Sequence, residues 1–181
     1  MQPKNEIDQD DSNMDISIAV INELIKTMDN AYGRILHCTA QINDEQIWER
    51  PSENPNSIGI LIKHLCGNLR QWIISSIGGE SDIRDRPAEF RDEEKIGKRE
   101  LMDQFEDVIG QCRRTLQKLK PEQLLQHRRI QGFEETVLGA LVSSISHIDL
   151  HGGQIVYITR MMLQDRYALR WKPETKEQGA E

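Results

Sequence analysis

The chain is short of basic residues, aromatic residues, cysteines and long apolar runs, and each shortage closes a class of function. Lys and Arg total 23 against 30 Asp and Glu, a net charge of −7 over 181 residues, and no segment gathers the basic side chains that would neutralise phosphates. No nucleic acid is expected as a partner. No apolar run approaches the roughly 20 residues of a bilayer span, so no membrane partner is expected either. The opening Met1-Gln2-Pro3-Lys4-Asn5-Glu6 lacks the apolar core of a secretory signal. The three cysteines, Cys38, Cys66 and Cys112, are odd in number, fall on separate predicted helices and have no C-x-x-C spacing. Reduced thiols in a cytoplasmic protein fit this better than a disulfide scaffold, a zinc ribbon or a redox pair.

What the sequence does contain is helical periodicity. There is no alternation of strands and helices and no internal repeat, and the length suits one domain that buries a core without disulfides. Residues 1–15 read as a flexible acidic leader, 16–165 as a helical bundle and 166–181 as a polar tail whose Trp171 folds back onto the bundle. The first helix spans Ile16 to Ile42, with Ile18, Ile21, Leu24, Ile25, Met28, Tyr32, Ile35 and Leu36 as its apolar stripe. A short turn capped by Asn43 follows, then a Pro- and Asn-rich loop. Ser57 caps a second helix, Ile58 to Ile77, closed by Gly78-Gly79. Residues 80–98 form a charged crossover with room for one helical turn. The third helix runs from Arg99 to Leu119, and the fourth from Thr136 to Leu163. The segment from His127 to Phe133 between them is extended at most, with no sheet to join. Four long amphipathic helices joined by unequal connectors give an all-α four-helix bundle.

The chemistry lies in three histidines. His147 and His151 are four residues apart on the fourth helix, so their Cβ atoms stack roughly 6 Å apart on one face, flanked by Ser144 and Ile155. His64 falls in the buried stripe of the second helix, with Leu61, Leu65, Asn68, Leu69 and Trp72. Taken singly, each histidine has a plain reading as a hydrogen-bonded core residue. Taken together they form a set of three imidazoles from two helices, which leaves a coordination position open, as catalytic sites do. Zinc suits such a set, and imidazole also suits nickel, iron and copper. A metalloprotease would need H-E-x-x-H, but Ile148 follows His147; a di-iron carboxylate bundle would need Glu-x-x-His repeats that the pair lacks. Asn68, Ser144 and Gln154 are candidate pocket residues. Arg84 and Arg86, if the crossover covers the pocket, would bind a substrate carboxylate. Asp149 points about 200° away from His147 on the helix and is not cast as a base, so no catalytic residue is assigned. Cys66 reads as packing, and His37 and His127 as capping or solvated.

These residues also carry a family resemblance. Ser57-Ile58-Gly59-Ile60-Leu61-Ile62-Lys63-His64-Leu65 resembles the first histidine motif of the DinB/YfiT-like superfamily. Ser146-His147-Ile148-Asp149-Leu150-His151-Gly152-Gly153-Gln154-Ile155 resembles its second. The resemblance runs from the first helix to about Leu163 and is nearest to a subgroup without an assigned function. It implies an up-down-down-up bundle with a long crossover, a homodimer, and a divalent metal, zinc or nickel, on His64, His147 and His151. Relatives include bacillithiol S-transferases, mycothiol-dependent enzymes and proteins described as hydrolases. The expectation is a metal-dependent enzyme that transfers a low-molecular-weight thiol to a small electrophilic substrate. A metal-dependent hydrolase and a non-enzymatic, dimeric, stress-associated binding protein are the alternatives.

Overall fold

The computed structural model describes residues 7–52, 56–91 and 95–171, the first nine of these as backbone alone. Helix α1, Ile7–Thr39, begins nine residues before the expected Ile16. Residues 1–6 of the expected leader and 172–181 of the expected tail lie outside the described residues. Two members of the predicted α1 stripe are exposed, Ile18 at 47% and Leu36 at 38%, and from Ile16 onward the first buried position is Ile21.

Helix α2, Ile58–Leu69, is capped by the Ser57 hydroxyl, which accepts the Ile60 amide. The expected single helix to Ile77 does not hold. From Arg70 to Ser75 the backbone widens into a π-helix, a feature frequent at functional sites. The crossover contains a one-turn helix, α3, Arg86–Glu89, capped by the Asp85 carboxylate with a proline in its first turn. Helices α4, Lys98–Gln117, and α5, Val137–Leu163, complete the bundle. The His127–Phe133 expectation needs correcting: β1, His127–Ile130, pairs antiparallel with β2, Phe133–Thr136, so the segment makes its own two-stranded sheet. Its two-residue turn, Gln131-Gly132, has φ of 52° and 88°, the doubly positive geometry that matches hairpin twist.

Contacts between helices fix the topology. Cys66 lies near Leu101, Arg70 pairs with Asp107, and Ile74 neighbours Thr115, so α2 and α4 run parallel. Arg34 pairs with Asp149, and Cys38 faces Thr159, so α1 and α5 also run parallel. Leu61 sits by Ile158 and Trp72 by Ala140, which sets α2 against α5 in the opposite direction. The order is up-down-down-up, with the crossover between the two parallel descending helices. One core fills the centre, built on Met28, Ile35, Leu65, Phe105, Ile109 and Leu141, all 1% exposed or less. Each such side chain contributes on the order of 1.5–3 kcal/mol by leaving water. Trp171 does not fold back and is 70% exposed; the Arg170 guanidinium instead donates to the Asn30 carbonyl of α1, and the Ala168 carbonyl is 2.7 Å from Nε2 of His37.

Candidate metal centre

Antiparallel α2 and α5 bring His64 opposite His147 and His151 near mid-bundle. Nε2 of His64 is 2.9 Å from Nε2 of His147. Ring centroids are 5.1 Å apart for His64 and His147, 5.2 Å for His64 and His151, and 4.4 Å for the i,i+4 pair. One ligand atom from each ring lies within 4.8 Å of the other two, and among the described residues this is the one such cluster of His, Cys and carboxylates.

The outer nitrogens of two rings are fixed by acceptors. Nδ1 of His64 is 2.8 Å from Oε2 of Glu89, and Nδ1 of His151 is 2.7 Å from Oε1 of Gln154. A carboxylate and an amide oxygen only accept, so Nδ1 donates in both rings, and in a neutral imidazole that tautomer leaves the Nε2 lone pair facing inward. Nε2 of His151 is buried and has no hydrogen-bond partner. Burial, then the neighbouring His151 and His64, push the His147 imidazole down to about 4, and burial also lowers His151. Both rings are therefore neutral at neutral pH. Converging ring nitrogens of this kind could hold a divalent cation, and the partnerless Nε2 of His151 is open to such a ligand.

Behind His64 stands a network that the sequence reading missed. Burial works to raise the Glu89 carboxyl, but hydrogen bonds from His64 and Arg84 outweigh it and hold it below its ordinary value. Arg84 donates to both Glu89 oxygens, at 2.6 Å from Nε and 3.0 Å from Nη2, and to Oε1 of Gln71 at 2.9 Å. Gln131 at the hairpin turn donates to the same Gln71 oxygen at 2.5 Å. A chain of contacts thus runs from the hairpin through the π-helix and the crossover to His64. Gly67 permits it, because a β-carbon there would collide with the Glu89 carboxylate. The signal for Glu89 was present: Asp85 as cap and Pro87 behind it mark a helix start that carries Glu89 one turn inward.

A cavity of about 240 Å³ opens beside His64 and His147, lined by Asn68, Ser144, Arg84 and Arg86 among the candidates, and by Trp72, Gln131 and Ser143 in addition. Arg84 is not free to hold a substrate carboxylate as expected; its side chain is 3% exposed and committed to Glu89. Gln154 lies elsewhere, on a larger cleft of about 810 Å³ with Leu61, Leu150 and Tyr157, and meets the centre only through His151. Asp149 faces α1, where it pairs with Arg34. Cys66 lies outside the centre, and burial pushes its thiol up to about 12. Gly152 packs at ordinary distance on Ile35, while Gly153 opens onto the larger cleft. No described helix is long and apolar enough to cross a membrane.

Comparison with known proteins agrees with this architecture. A family model described as a protein of unknown function, DUF1572, matches residues 15–173. No curated protein matches. A conserved protein from Enterococcus faecalis superposes with a TM-score of 0.63 at 21% identity, covering 77% of this chain and 95% of its own. A DinB-like protein from Bacillus cereus gives 0.63 at 15% identity, covering 77% and 90%. The DinB-like YjoA of Bacillus subtilis gives 0.62 at 15% identity, covering 84% and 99%. At these identities the likeness is one of fold.

Proposed function

Since the chain belongs to the DUF1572 family, a DinB-like family with no function assigned to it, we propose from its site that it is a metal-dependent enzyme. The reading is a transferase that joins a low-molecular-weight thiol to a small electrophile. The observation that carries it is the convergence of three imidazoles of which two have their outer nitrogens pinned by Glu89 and Gln154. His64, His147 and His151 would hold the ion, with zinc or nickel the expected one and imidazole donors equally able to take iron or copper. A divalent ion there supplies a Lewis acid that keeps a bound thiol deprotonated, or lowers the pKa of water to about 7.

The chain's own residues do the rest. Glu89 and Gln154 keep two rings in one tautomer, so their inner lone pairs stay available. Arg84 keeps Glu89 ionised. Trp72, Asn68 and Ser144 border the cavity in which an electrophile would lie beside the nucleophile. In the transfer itself, the thiol loses its proton to solvent, its sulfur forms a bond to carbon, and the leaving group departs with the electron pair. No cysteine of the chain is cast as nucleophile, because burial holds all three thiols above their ordinary value.

The cytoplasmic setting and the homodimer belong to the same proposal. Support for a second copy is the row of exposed apolar residues along α5, Leu150, Tyr157 and Met161, which are 60%, 66% and 51% exposed. The test of function is turnover by metal-loaded protein with a panel of thiols and electrophiles. Consumption of thiol together with electrophile supports transfer. Consumption of an ester or amide without thiol assigns hydrolysis instead, and a folded, metal-free, inactive protein assigns a binding role.

A further inference from the structure

The cavity beside the histidines has polar atoms that nothing in the fold satisfies. Nε1 of Trp72, Oγ of Ser144 and Oδ1 of Asn68 are all buried and without a hydrogen-bond partner. Trp72 is 9% and Ser144 2% exposed, and all three residues line the same 240 Å³ space. Leaving a buried polar group unpaired is destabilising, and three around one cavity point to a ligand that supplies the missing partners. The π-helical register of Arg70–Ser75 carries Trp72, so the widened backbone and the unpaired indole belong to the same feature.

The donor set defines the ligand. Indole N–H only donates, and the serine hydroxyl can donate as well. Of the two arginines on the cavity, Arg84 is neutralised by its bidentate pair with Glu89. Arg86 is exposed, stacks 5.4 Å from the Phe90 ring centroid, and has no ion pair among the described residues. In the metal-free site, one uncompensated positive charge with two neutral donors matches a singly charged carboxylate, whereas a phosphate dianion would leave charge unbalanced. The Asn68 oxygen is an acceptor, so the atom next to the carboxylate must carry a donor. We propose that this cavity binds the carboxylate of a small α-hydroxy or α-amino acid group, with Trp72, Ser144 and Arg86 holding the carboxylate and Asn68 the adjacent donor. The proposal names the recognised group of the substrate and rests on the metal-enzyme reading only for what happens to that group afterwards.

The experiment uses the full chain, metal-free and metal-loaded, labelled with ¹⁵N. The three tryptophans, Trp48, Trp72 and Trp171, give one indole N–H signal each, and Trp72→Phe identifies the relevant one. Trp48 already donates to the Ile96 carbonyl and serves as the internal control. Glycolate, acetate and neutral glycolamide are titrated at constant ionic strength into the metal-free protein. The Trp72 signal is expected to shift saturably with glycolate, more weakly with acetate and not with glycolamide. Arg86→Gln, a surface change, is expected to weaken glycolate about tenfold, the loss of one charge-assisted hydrogen bond, while metal uptake by the same variant stays unchanged. An unmoved Trp72 signal, an equal response to glycolamide, or an unaltered Arg86→Gln titration overturns the proposal. Metal stoichiometry, measured on the same samples, decides the metal reading separately.

Discussion

Oε2 of Glu89 lies 2.8 Å from Nδ1 of His64, and Arg84 grips the same carboxylate from behind. A carboxylate–histidine pair of this kind orients the ring and raises its basicity toward a metal. Glu89→Ala is expected to lower zinc affinity about 10–100-fold by calorimetry, and Glu89→Gln less, since an amide oxygen still accepts from Nδ1. Gly67→Ala should reproduce the loss from the other side by displacing the carboxylate. Zinc affinity unchanged in Glu89→Ala would mean that His64 is held by its packing alone.

Acid should destabilise the metal-free protein through its own histidines. His147 in the fold sits at about 4, pushed down first by burial, against about 6.5 in an unfolded chain. Between these values the unfolded state binds more protons, so stability falls as pH drops from 6.5 toward 4 and is unaffected by this group above 6.5. His151, also lowered, acts in the same direction. Glu89 acts in a lower window, where protonation through its depressed value removes the pairs with His64 and Arg84. Thermal midpoints measured from pH 7.5 to 4 should decline in wild type and decline less in His147→Gln. Parallel curves would contradict the assignment.

The cysteines should be inert in the native state. Burial pushes Cys66 and Cys112 up to about 12 and raises Cys38 as well. At pH 8 the thiolate fraction of the first two is on the order of one in ten thousand. Iodoacetamide with mass spectrometry should find no rapid adduct before denaturation and three after it. Fast alkylation of Cys66 in the native protein would reopen it as a nucleophile.

Much of this was legible in the sequence, for identifiable reasons. The helices are long enough for apolar spacing to dominate, and Ser57 and Thr136 are strong caps, so α2 and α5 begin within a residue of their expected starts. His147 and His151 could be placed on one face because helical spacing alone fixes that relation, and His64 because it lies in a stripe with Leu61, Leu65 and Leu69. Three things were not legible. The π-helix at Arg70 leaves no mark in apolar periodicity, so the unpaired Trp72 indole reads as core from sequence. The hairpin depends on a Gln131-Gly132 turn in place of the usual Asn-Gly, and the pairing partner is local rather than a larger sheet. Glu89 sat among so many charges that only its neighbours Asp85 and Pro87 could single it out. Arg84 shows the cost of that omission: without its acidic partner in view, it was assigned to substrate.

The central claim is that His64, His147 and His151 bind one divalent ion together. Elemental analysis of protein purified without a histidine tag, followed by zinc calorimetry on the chelator-treated sample, tests it most directly. About one metal per chain is expected, lost in each of His64→Ala, His147→Ala and His151→Ala while the helical circular dichroism of the variants persists. A folded wild type that takes up no metal, or variants that retain it at full stoichiometry, would contradict it.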